Sequence, residues 1–319
     1  MKAKQDNRKM KDRKMGEEHS FLSFSCRPFS CCLAAWIGCC SLWLAAMPAI
    51  AEEPDPKKEK LAQRREALLA EMRTLAEQTK VAYASGGGEI KLVDKPVFRY
   101  DDQPRRFIDA TMWIWTDGGR PVACQKIEAK YEFNRGDPLW GYCFTSLSAD
   151  KLKAAWAAKS YQSTEAGIAW QSFADRPAPA AGNVQRKRQL RELARGFSGR
   201  MLVNPRTGES AELRLFTTPI YEYSDPATRL LAGAVFGFEV NGTNPDLVVL
   251  IEARGEREQP QWQFAPARMT TGGITLNYKD AKVWAAEFVS PHEGPFSNWL
   301  FFATPRTPSQ FETLPTAKP

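Results

Sequence analysis

One stretch of this chain occurs twice, and that limits what it can fold into. Pro96-Val-Phe-Arg-Tyr100 leads through Trp113-Ile-Trp115 to Ile127-Glu128-Ala129-Lys130. Pro219-Ile-Tyr-Glu-Tyr223 leads through Phe236-Gly-Phe238 to Ile251-Glu252-Ala253-Arg254. Tyr100/Tyr223, Asp102/Asp225, Arg106/Arg229 and Gly119/Gly242 match without a gap. After one inserted residue Pro121/Pro245, Ile127/Ile251 and Glu128/Glu252 match, and after a shortened turn Pro138/Pro260 and Trp140/Trp262. Agreement in this order is the mark of one sub-fold used twice. Aromatics two residues apart share one face of a strand, and Asp117-Gly118-Gly119 is a hairpin turn signal. The expected class is α+β: two pseudo-repeated antiparallel β-meander halves with a few helices, preceded by an N-terminal helix.

Before the repeat, residues 1–51 follow the grammar of a signal peptide. Lys2, Lys4, Arg8, Lys9, Lys11, Arg13 and Lys14 form a basic start, Cys31 to Met47 is apolar, and Pro48 precedes Ala49-Ile50-Ala51. Cleavage near Ala51 would export the rest to the periplasm or beyond; the alternative is an uncleaved membrane anchor. Residues 52–88 read as a helical spacer, with Leu61, Leu68, Met72 and Leu75 as a thin stripe, closed by the linker Ser85-Gly86-Gly87-Gly88. The first β-rich half spans 89–174, with a helix expected over 149–159 behind Ser148. Residues 175–218 hold a Pro/Ala linker and a basic helix over 184–197. The second β-rich half spans 219–304, and 305–319 is a Pro/Thr-rich flexible tail.

The formal charge is +7, but the first 51 residues hold eight of the 44 Lys and Arg and four of the 37 Asp and Glu. The remainder is close to neutral, which argues against a nucleic-acid partner. On the basic helix, Arg186, Lys187 and Arg188 could touch an anionic membrane; the plainer reading is a solvated face. Five of the seven Cys lie in the leader, leaving Cys124 and Cys143. In an oxidising compartment these two could form a disulfide, subject to strand register, or serve as small core residues. His292 is the one His beyond the leader, so no His-based metal cluster is available, and no cofactor motif occurs. Asn241-Gly-Thr243 matches a glycosylation sequon but reads as a turn.

The candidate residues are the repeated sets Asp102, Arg106, Glu128 and Asp225, Arg229, Glu252. A glutamate inside an apolar strand needs a partner or a shifted pKa. Glu–Arg or Asp–Arg pairs fixing each half explain the repetition directly. The catalytic alternative is a glycoside-cleaving pair, Glu128 facing Glu252 where the halves meet.

Arg99-Tyr100, Gly119-Arg120-Pro121, Arg191-Glu-Leu-Ala-Arg195, Leu213-Arg-Leu215 with Pro219-Ile-Tyr221, and Gly242-Thr-Asn-Pro245 through Ile251-Glu-Ala-Arg254 resemble a group of secreted planctomycete proteins of unknown function. The resemblance covers about residues 96–270; it implies export and carries no activity. The expected function is therefore a non-catalytic binding or interaction module of the cell envelope, its partner a protein or polysaccharide. A surface platform drawn from the ten Trp and eighteen Phe would suit that role. The alternative is a hydrolase using the paired carboxylates.

Overall fold

The computed structural model describes residues 55–308 and 312, apart from 133–135, 158, 175, 241, 256–258, 291–293 and 295. The leader, His292 and Asn241 lie outside the described residues.

Helix α1 (Pro56–Gln78) starts where the Asp55 carboxylate accepts a hydrogen bond from Lys57 N and Pro56 supplies a pre-set φ. It is followed by β1 (Lys80–Tyr83), β2 (Lys91–Leu92), β3 (Phe98–Asp102), β4 (Phe107–Asp117), β5 (Arg120–Tyr131) and β6 (Pro138–Ser146). Then come β7 (Leu152–Trp156), β8 (Lys159–Gln162) and β9 (Gln171–Ser172). Helix α2 (Asn183–Ala194) opens the rest: β10 (Phe197–Asn204), β11 (Glu209–Leu215), β12 (Tyr221–Asp225), β13 (Leu230–Glu239) and β14 (Leu247–Arg254). The last strands are β15 (Gln261–Arg268), β16 (Gly273–Tyr278), β17 (Ala281–Ala286) and β18 (Trp299–Pro305). All described pairings are antiparallel, so the fold is β-rich with two helices among the described residues.

The strands form a sheet β1-β7-β8, a sheet β18-β6-β5-β4-β2 with β3 also on β4, and a sheet β17-β16-β10-β11-β13-β14-β15-β9 with β12 also on β13. The second and third sheets pack face to face. Met112, Ile114, Cys124, Cys143 and Trp299 meet Val235, Val248, Leu250, Ala265 and Ala267 in a shared core. The alternate residues of the same strands face outward into two further cores. On one side Trp113, Trp115 and Phe144 are covered by Leu68, Met72 and Ala76 of α1 and by Leu152 and Tyr161 of the small sheet. On the other, Phe236, Phe238 and Ile251 are covered by Leu190, Leu193 and Ala194 of α2 and by Phe197 and Leu276. The central strands are thus buried on both faces.

Several boundaries differ from the expectations. Helix α1 is no spacer: Leu68 and Met72 of its thin stripe are wholly buried on the sheet, and the chain extends as β1 from Lys80. Residues 149–159 hold strand β7, not a helix; Leu152 and Ala154 alternate inward, so the period of two overrode the helix propensity of Ala and Lys. Residues 175–218 are more than a linker, since they supply α2 and the sheet strands β10 and β11. The tail is tied down at least to Glu312: Arg306, buried, donates to its carboxylate and lies over the Tyr131 and Trp140 rings. The expected aromatic platform is not seen among the described residues, where Phe288, at 38%, is the one aromatic among the exposed large apolar residues.

The disulfide is absent. Register sets Cys124 opposite Thr145 and Cys143 opposite Lys126, so the two thiols sit on a diagonal. Diagonal neighbours have Cβ atoms roughly 7 Å apart, against about 4 Å for a disulfide. Instead, Cys143 accepts from Trp299 Nε1 at 3.1 Å and Cys124 contacts Met269. Burial pushes the Cys143 thiol up to about 11 and raises Cys124 as well. Thiol titration of the unfolded, non-reduced protein freed of residues 1–51 should find both Cys124 and Cys143 reactive; an unreactive pair would mean the bridge forms after all.

Candidate binding clefts at the two ends of the sheet interface

Each repeated glutamate is held by the repeated tyrosine. Across the sheet, Tyr100 stands opposite Ala110, which stands opposite Glu128; Tyr223 stands opposite Gly233, which stands opposite Glu252. The tyrosine reaches over the small middle residue to the glutamate two strands away. Tyr100 Oη donates to Glu128 Oε1 at 2.8 Å, and Tyr223 Oη to Glu252 Oε1 at 2.9 Å. The middle residue must be small: a Cβ on Gly233 would lie 2.5 Å from the Tyr223 ring. Burial, and then the neighbouring carboxylate, hold both phenols well above their ordinary pKa.

The remaining partners tie one sheet to the other. At one end Arg120, in the β4–β5 turn region, grips Glu252 with two bonds, Nε to Oε1 at 2.8 Å and Nη2 to Oε2 at 3.0 Å, and lies over the Trp170 ring. At the other end Arg105 grips Asp246 in the same forked way, at 3.0 and 3.3 Å, and lies 3.4 Å from Asp102. There Lys126 Nζ donates to Asn244 Oδ1 at 2.8 Å and to Pro245 O at 3.0 Å, and stands 3.7 Å from Glu128. Asn244 in turn donates to Asp102. Forked arginine–carboxylate pairs fix orientation as well as distance.

The partners therefore differ from the expected ones. The arginine on Glu252 is Arg120 from the other half, not Arg229. Arg106 and Arg229 both take the left-handed conformation, φ 59° and 61°, closing the short turns after Asp102 and Asp225, and the Arg106 guanidinium donates to Glu132 O. Asp102 and Asp225 start those turns, accepting from Arg105 N and from Ala227 N and Thr228 Oγ1. The two glutamates are not brought together. Glu252 is bonded to Arg120, and Glu128 lies eight positions further along β5 from Arg120, about 26 Å of strand. A glycoside-cleaving pair needs roughly 5–10 Å. No cluster of three metal-ligating side chains occurs among the described residues.

A cleft opens at each end of the interface. The first, about 340 Å³, has Tyr83, Asp117, Asp150 and Asp225 at its walls together with Arg120 and Arg254. Tyr83 Oη donates to Asp117, and burial followed by that bond pushes the phenol up to about 12. The second, about 330 Å³, is lined by Arg105, Lys126 and Lys130 against Glu128, with Phe107, Trp299 and Phe301 as apolar walls. The two clefts differ in charge: one is mainly acidic, the other mainly basic.

The basic face of α2 is engaged within the molecule. Arg186 donates to Ala180 O and Ala181 O, Lys187 to Glu222, and Arg188 to Glu192. Arg188 nevertheless keeps most of its side chain in solvent, and Lys187 and Arg191 about half. Sequence reasoning missed Arg105, Arg120, Lys126, Lys130 and Asp246. The signal was present for two of them: Lys126, Glu128 and Lys130 alternate along one face of an otherwise apolar strand.

Comparison with family models, with curated proteins and with solved structures found no match.

Proposed function

We propose that the chain is an exported, non-catalytic binding or interaction module of the cell envelope, its leader removed near Ala51. We further propose that it is built from two copies of one sub-fold. The pairing scheme supports the second point. β1–β7, β7–β8, β2–β4, β3–β4, β4–β5 and β5–β6 have counterparts nine strands on in β10–β16, β16–β17, β11–β13, β12–β13, β13–β14 and β14–β15. Each series follows a helix. The closing strands are exchanged: β9 edges β15, and β18 edges β6. On this reading each copy is larger than the repeated stretch and includes its helix.

One observation carries the non-catalytic reading. Both buried glutamates are engaged by fixed partners, Glu252 by Tyr223 and Arg120 and Glu128 by Tyr100 and Lys126, which supports a structural role over that of an acid or base. The resemblance to secreted planctomycete proteins supports export. Purified protein should co-sediment saturably with at least one isolated envelope fraction, polysaccharide or protein, and release no sugar from it. Protein that stays in the supernatant with every fraction would contradict this. So would sugar release that disappears in Glu128→Gln.

A further inference from the structure

Lys130 is the one cation of the basic cleft without a hydrogen-bond acceptor among the described residues. Arg105 is committed to Asp246 and Asp102, and Lys126 to Asn244, Pro245 and Glu128. The Lys130 ammonium instead stands between two rings, 5.6 Å from the Phe107 centroid and 5.0 Å from that of Phe301. Such contacts hold a cation in place without using up its three donors. At the opposite end, the residue that follows Glu252 as Lys130 follows Glu128 is Arg254. It lies 3.7 Å from the Glu252 carboxylate and is turned to an internal partner. The same place in the two meanders thus holds a spoken-for cation in one cleft and a presented one in the other.

We propose that the basic cleft binds an organic monocarboxylate with a flat apolar body, its carboxylate on Lys130 and its body against Phe107, Trp299 and Phe301. This rests on the reading of the chain as a binding module and names a ligand class for it. The choice of a monoanion follows from the charges. Only one cation is uncommitted, and the negative charges of Glu128 and Glu132 already act on Lys130, so a dianion such as phosphate would meet more repulsion than it could offset. The choice of an apolar body follows from the walls, and about 330 Å³ is room for a small aromatic acid. Burial lowers the Lys130 pKa against the opposing pull of Glu128 and Glu132.

The test is titration calorimetry on the purified protein with 3-phenylpropionate, 3-phenylpropanamide and inorganic phosphate. Saturable binding of the acid is expected, with the amide and phosphate weaker by about tenfold or more, a difference of ~1.4 kcal/mol. Lys130→Met should weaken the acid to the level of the amide, and Lys130→Arg should retain it. No binding of the acid, equal binding of the amide, equal binding of phosphate, or unchanged binding in Lys130→Met would each overturn the proposal. If Lys130→Met fails to fold, the acid–amide comparison in the unaltered protein still decides. Protein that co-sediments with envelope yet ignores 3-phenylpropionate would overturn this ligand class and leave the binding-module reading standing.

Discussion

Arg120→Met should lower the free energy of unfolding by about 3–5 kcal/mol in a urea titration. The Glu252 side chain is wholly buried, and Arg120 supplies both of its charged hydrogen bonds. Removing the guanidinium leaves a carboxylate in the core with only the Tyr223 hydroxyl and Arg254 at 3.7 Å to support it. The same change also strips a cation from the Trp170 ring and unties one sheet from the other. Arg120→Lys should recover only part of the loss, because a single ammonium cannot reproduce the forked contact. The exposed Arg188–Glu192 pair on α2 gives the contrast. Breaking it should cost about 0.5 kcal/mol or less, since water already solvates both groups.

Stability should fall steeply above pH 10. All eight tyrosines have pKa values raised by burial, and Tyr100 and Tyr223 are the deepest and most strongly affected. A phenol raised in the folded state stays neutral there while the unfolded chain ionises near pH 10. Its contribution is therefore complete below that pH and is lost as the pH rises toward the folded value. Each fully buried phenol removes up to ~1.4 kcal/mol per pH unit, so Tyr100 and Tyr223 together should remove about 3 kcal/mol by pH 11. Tyrosinate absorbance should stay flat and then appear in one step, together with the loss of near-ultraviolet circular dichroism. Gradual ionisation of every phenol in a protein that stays folded would contradict the buried Tyr–Glu pairs.

The strands were legible because they are rich in aromatic and β-branched residues, with aromatics two apart on β4 and β13, and because their turns carry Gly, Asp and Pro. Strands β3 to β6 and β12 to β15 were readable in this way, and so was α2. Two features were not. Helix α1 shows too thin a stripe to reveal that it packs on the sheet, since only Leu68, Met72 and Ala76 need be covered. β7 is composed of good helix formers, and its place between β1 and β8 makes it a strand. At the site, the tyrosines Tyr100 and Tyr223 and the glutamates Glu128 and Glu252 were each visible separately in the sequence. Their pairing was not, because it depends on register across a third strand. Partners such as Arg120 and Asp246 come from turns far away along the chain, and no local pattern connects them to Glu252 or Arg105.

The most direct test of Glu252 as a tie across the interface is a double-mutant cycle on Arg120→Met and Glu252→Gln, measured by urea unfolding. With a buried pair, the double variant should be little worse than the milder single one, giving a coupling of about 2 kcal/mol or more. Single effects that simply add, to within ~0.5 kcal/mol, would show that Arg120 and Glu252 act independently. Two independent side chains could not tie one sheet to the other, and that outcome would contradict the buried pair as the fastening between them.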